Sequence, residues 1–132
     1  MFTLNNKVDY GLLLVAELSK KNDYVPLSQL VEETQLPQRF IARIASDLVK
    51  HGVLASREGK IGGYKLAVDL KRVTLLDFIK MFERRLNLVK CEEHGYVCRF
   101  ESSCVHKFFF RNKLNAILNT ELKRWTLADL FK

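Results

Sequence analysis

No apolar run in this sequence is long enough to cross a bilayer. The longest, residues 11–16 and 108–110, fall far short of the roughly 18 residues a membrane-spanning helix needs. The first nine residues interleave polar and charged side chains with apolar ones, which interrupts the continuous core of a secretory signal. The expected location is the cytoplasm, with no membrane as a partner. Internal repeats, low-complexity tracts and linker-like stretches are also absent, and 132 residues that are 48% hydrophobic fit one packed unit. Nor is there a phosphate-binding glycine loop, a Ser-His-Asp arrangement or a carboxylate pair with a plausible cleft. Glu92, Glu93 and His94 read as a solvated loop rather than an acid–base site. Trp125 and the run Phe108, Phe109 and Phe110 read as core or dimer packing. An enzyme acting on a small-molecule substrate is not expected.

Cysteine is scarce and odd in number: three residues, all between positions 91 and 104. Thiols stay reduced in the cytoplasm, so this cluster points to metal or redox chemistry rather than a disulfide framework. Acidic residues are outnumbered, 15 against 22 basic, for a net charge of +7. That balance favours a polyanionic partner, though acidic proteins and lipid surfaces satisfy it too. The excess is spread over both halves of the chain, so charge alone does not choose.

Periodicity supplies the elements. Val8, Leu12, Val15, Ala16 and Leu18 recur at helical spacing over residues 6–19, with Asp9 in the first turn where a carboxylate suits the helix dipole. A short second helix spans residues 28–34, with Ser28 as its N-cap candidate. A third begins at Pro37 and stops at Gly52, with Ile41, Ile44 and Leu48 on its inner face. Two strand-like runs, residues 53–57 and 64–68, flank a glycine-rich turn. A fourth helix follows Thr74, then the cysteine-bearing loop, a long helix over residues 104–124, and a short one capped by Thr126. The fold class is mainly α with a small β-hairpin wing: a winged helix-turn-helix followed by a long C-terminal helix. The corresponding regions are 1–73 for the winged helix-turn-helix, 74–103 for a helix and the cysteine loop, and 104–132 for the long helix and the short C-terminal one.

Helix, short helix, helix with a basic stripe and glycine-tipped hairpin, in that order, match the layout of a winged helix-turn-helix. The third helix turns Gln38, Arg39, Arg43, Ser46 and Lys50 to one side, residue types suited to base edges and phosphates. A solvated helix face would carry the same stripe, and the hairpin is what tips the balance. In it, Gly59, Gly62 and Gly63 permit close approach to phosphates, while Arg57, Lys60 and Lys65 supply charge.

Cys91, Cys98 and Cys104 sit in a loop whose neighbours are polar, a poor setting for structural thiols. Thiolates are the ligands of iron–sulfur clusters, and three of them leave one position for another group. Zinc is the rival, with three cysteines plus His94 or His106 forming a tetrahedral set. The absence of a Cys-x-x-Cys pair counts only mildly against it. A zinc-stabilised module docking an acidic protein or a membrane surface, without sequence-specific DNA binding, is the alternative function.

Taken together, Asp9-Tyr10-Gly11-Leu12, Gly62-Gly63-Tyr64-Lys65-Leu66, the three cysteines and Thr126-Leu127-Ala128-Asp129-Leu130 resemble the winged-helix family of bacterial iron–sulfur transcription regulators. That family has IscR-like and NsrR-like members, and the resemblance covers nearly the whole chain. It implies a homodimer bound to operator DNA through the DNA-binding region 1–73 and joined through the long C-terminal dimerisation helix within 104–132, with a 2Fe-2S or 4Fe-4S cluster whose response to nitric oxide, iron or redox state sets promoter binding. It also implies DNA contact by the wing, including Tyr64. In NsrR-like members an aspartate at the place of Asp9 completes the cluster from the other subunit. IscR-like members use a histidine at the place held here by Lys107. His106 is one residue short of that place, a turn of about 100° on a helix, so Asp9 is the favoured fourth ligand. One departure concerns the wing. Glu58 precedes Gly59 where the family usually has arginine, and Arg57 is displaced by one position. A carboxylate there repels phosphate.

Overall fold

The computed structural model describes residues 5–83, 86, 89–93 and 95–132. Helix α1 (Asn6–Ser19) starts where Asn5 caps it, its side chain accepting from the Lys7 amide. Val8, Leu14, Val15 and Leu18 form its buried stripe. Gly11 is buried among them for a steric reason: a Cβ there would lie 3.0 Å from the Phe78 ring and 3.1 Å from that of Phe82. The glycine lets both rings settle on α1.

Helix α2 (Leu27–Thr34) begins one residue earlier than its polar pattern suggests. Pro26 is the N-cap residue and no side chain caps the helix, so Ser28 lies inside the first turn. Helix α3 (Gln38–Lys50) follows Pro37 and buries Ile41, Ile44, Ala45 and Leu48. Past its end Gly52 adopts φ +78°, and its amide bonds to the Val49 carbonyl, as a glycine-terminated helix does.

Strands β1 (Leu54–Arg57) and β2 (Gly63–Leu66) pair antiparallel, with Leu54 opposite Leu66 and Arg57 opposite Gly63. The hairpin does not hang free. Tyr64 exchanges both backbone hydrogen bonds with Val25, at 2.8 and 2.9 Å, so the wing root is stitched to the segment between α1 and α2.

Helix α4 (Leu75–Phe82) is capped by Thr74 and buries Leu76, Phe78 and Ile79. The C-terminal segment returns to its start: the Leu75 amide bonds to the Trp125 carbonyl and the Leu127 amide to that of Val73. There Thr126 and Asp129 form a capping box for α6 (Leu127–Leu130), and Leu127 is fully buried. These elements share a core drawn from α1, α2, α3, α4, the hairpin and Leu127.

The long C-terminal helix differs from expectation. Helical conformation begins at residue 107, so Cys104 stands outside it, and Phe109–Leu114 form a π-helical turn before α5 (Asn115–Arg124). No residue of α5 is fully buried. Trp125, Phe108 and Phe109 are also exposed, so these aromatics do not belong to the core of the subunit.

Candidate nucleic-acid interface and cysteine loop

Helix α3 is anchored by Ile41, Ile44 and Leu48, which leaves Gln38, Arg39, Arg43, Ser46 and Lys50 on its exposed side. Among the described residues none of these five side chains has a hydrogen bond or ion pair. An arginine kept free of local carboxylates retains all five donors for a ligand. Phe40, half-exposed on the same helix, leans on Tyr10 with ring centroids 6.0 Å apart. It borders a small depression with Asn6, Lys7 and Arg43.

In the wing, the glycines act through the backbone. Gly63 has φ +134°, and a Cβ there would sit 2.0 Å from the Val25 carbonyl oxygen; one on Gly62 would sit 2.2 Å from that of Arg57. Gly59 has φ +102° in open space. Tyr64 is half-buried at the wing root, whereas Glu58 and Lys60 are exposed at the tip. Arg57 is not a free projecting cation. Its guanidinium lies over the Tyr24 ring, 4.1 Å from the centroid, and donates from Nε and Nη2 to the Ile61 carbonyl at 3.2 and 2.6 Å. Cation–π stacking and the carbonyl clamp hold it across the tip. Arg57 therefore braces the wing. Tyr24, which makes this possible, carries no sequence signal of its own.

The cysteine loop is tied to the long helix by polar side chains. Cys91 lies in a single 3-10 turn, Lys90–Glu92, and all three cysteines are free thiols of intermediate exposure. Arg111 donates from Nε to the Cys91 sulfur at 3.4 Å and from its two terminal nitrogens to the Glu101 carboxylate at 3.1 and 2.8 Å. Lys107 donates to the same carboxylate and to the Glu101 carbonyl. Arg111 and then Lys107 hold the Glu101 carboxyl below its usual value, and Glu101 and then Cys91 keep Arg111 protonated beyond its usual value. Asn115 donates to the Glu92 carboxylate. The Cys104 sulfur is 3.7 Å from both ring nitrogens of His106.

Among the described residues, no three His, Cys, Asp or Glu side chains gather as a metal site. The loop thus pairs Cys91 with Arg111 and Cys104 with His106 without bringing the three sulfurs together. His94 lies outside the described residues. Asp9 is exposed in the first turn of α1, where Asn5 already supplies the cap, and its carboxylate has no hydrogen bond or ion pair among the described residues. Sequence reasoning missed Arg111 altogether. The available signal was its spacing from Lys107 and Asn115, four residues either way on a helix facing an acidic loop.

The sequence profile of the Rrf2 family, described as an iron-dependent transcriptional regulator, matches residues 4–132. The chain belongs to the Rrf2 family. Relatives of this Rrf2 regulator include NsrR of Shouchella clausii, 25% identical over 96% of this chain and 87% of that one. IscR of Vibrio campbellii is 26% identical over 98% and 77% of the two chains. The structure of CymR, the global cysteine regulator of B. subtilis, superposes with a TM-score of 0.75 at 25% identity, covering 99% and 97%. The Rrf2 chain is accordingly a winged-helix transcription regulator, and the proteins it resembles are named as regulators, not enzymes. Among its described residues no helix is long and apolar enough to cross a membrane.

Proposed function

We propose that this Rrf2 regulator binds operator DNA as a homodimer and that an iron–sulfur cluster carried by Cys91, Cys98 and Cys104 controls the binding. The observation that carries the reading is the donor set: three free thiols on one loop, one of them already accepting an N–H from Arg111. That chemistry fits a thiolate-ligated centre, and holding one requires the loop to draw the three sulfurs together. When bound, such a cluster supplies iron open to loss, oxidation or attack by nitric oxide. Asp9, exposed on α1 with its carboxylate unpaired among the described residues, would serve the cluster of a second subunit. His106 beside Cys104 is the in-chain alternative. On the DNA side, Arg39 and Arg43 are suited to guanine and Gln38 to adenine, with Ser46 able to pair with either and Lys50 meeting a phosphate. The wing contributes Lys60 at a tip that Arg57, Gly59, Gly62 and Gly63 shape, with Tyr64 at its root.

Anaerobic purification with iron, sulfide and zinc analysis tests the cluster. Iron and sulfide in equal amounts in the wild type, both lost in Cys98→Ala, are the expected result. Stoichiometric zinc, or no metal at all, would overturn the cluster and leave a winged-helix regulator answering to another signal.

A further inference from the structure

We propose that Arg111 is the positioning residue that fastens the cysteine loop to the long C-terminal helix and sets the electrostatic environment of the Cys91 sulfur. The inference rests on reading the loop as a cluster site. A single guanidinium here spends three N–H donors on two loop segments, one on Cys91 and a fork of two on Glu101, residues 20 and 10 positions before it. An isolated exposed ion pair contributes little, but bidentate geometry within a network is the exception.

Its neighbours on the helix repeat the arrangement. Lys107, four residues earlier, reaches the Glu101 carboxylate and carbonyl, and Asn115, four residues later, reaches Glu92 beside Cys91. Residues 107, 111 and 115 thus form one stripe against the loop. Arg111 occupies the π-helical turn Phe109–Leu114, where i→i+5 bonding departs from the α-helical ladder, a feature that recurs at functional sites. Among the described residues, backbone bonds of the loop fall in single turns such as Glu92 to Val89, Glu93 to Lys90, Glu101 to Cys98 and Ser103 to Phe100. Side chains from the helix therefore carry much of the loop's placement. An N–H directed at a ligand sulfur also withdraws charge from it, which raises the reduction potential of the centre that sulfur binds.

The test uses the full chain in two states. In metal-free protein, hydrogen exchange of the Glu92, Glu93, Glu101 and Ser103 amides is expected to quicken about tenfold in Arg111→Met, since loss of the network lowers the local opening free energy. Glu101→Gln should loosen residues 101–103 while sparing 92–93, because Arg111 still reaches Cys91. In anaerobically loaded protein, Arg111→Met lowers the midpoint potential, and Arg111→Lys, which keeps the charge and loses the fork, falls between. Far-UV circular dichroism should show the winged helix melting as in the wild type. Unchanged exchange in metal-free Arg111→Met would overturn the fastening. A wild-type potential in loaded Arg111→Met would overturn the tuning. Absence of iron from the wild type would overturn the cluster reading itself, and the exchange experiment would still decide whether Arg111 fastens the loop.

Discussion

Replacing Arg39 and Arg43 together by alanine lowers operator affinity by roughly a thousandfold while leaving the fold intact. Each arginine that pairs with a base edge contributes about 1–3 kcal/mol of discrimination, and 1.4 kcal/mol is tenfold in affinity. Both side chains are exposed and neither has a hydrogen bond or ion pair among the described residues, so their removal exposes no unsatisfied group. Stability should change by no more than about 0.5 kcal/mol. Fluorescence anisotropy on an operator fragment, repeated over a salt series, separates the contributions: wherever an arginine neutralised a phosphate, its replacement flattens the salt dependence. A loss of threefold or less, on the order of half a kcal/mol, would remove α3 from the recognition surface.

Gly63→Ala should produce the largest loss of stability among wing substitutions. The residue combines φ +134° with a Cβ position 2.0 Å from a backbone oxygen of the neighbouring segment, and backbone cannot swing aside as a side chain does. The Val25–Tyr64 pair of hydrogen bonds must open. A disfavoured backbone conformation costs about 1–3 kcal/mol, and each hydrogen bond about 0.5–1.5 kcal/mol. A loss near 3 kcal/mol lowers the melting temperature of a domain this size by roughly 10 °C. Gly59→Ala is the matched control, since Gly59 has φ +102° with nothing within 4 Å of its Cβ position. It should lose much less. Calorimetry showing equal losses for the two would contradict the stitching of the wing root.

How much of this was legible in the sequence depended on whether the determinant was local. The bounds of α1, the halt of α3 before Gly52 and the capping role of Thr126 follow from neighbours in the chain. The hairpin was legible for the same reason, because its glycines sit where the turn needs them. Ser28 misled because a proline two residues upstream started the helix first. The long helix misled in two ways: Cys104 belongs to the preceding turns, and no hydrophobic period distinguishes a π turn within the run Phe108, Phe109 and Phe110.

Long-range pairings were hidden. Arg57 reads as a free cation until Tyr24, 33 residues away in the chain, is found under its guanidinium. Arg111 reads as one of many basic residues until Glu101 and Cys91 are found against it. For the three cysteines the ligand chemistry was evident from residue type, whereas their mutual placement depends on a loop whose described backbone bonds are single turns.

The most direct test of the account compares two proteins on one operator fragment recovered from random DNA: anaerobically prepared wild type with its iron and sulfide intact, and Cys98→Ala. Control through the cysteine loop predicts at least about tenfold different affinity between them, the scale of a coupling free energy of 1.4 kcal/mol or more. Equal affinities, with iron and sulfide present in one protein and absent from the other, would contradict it.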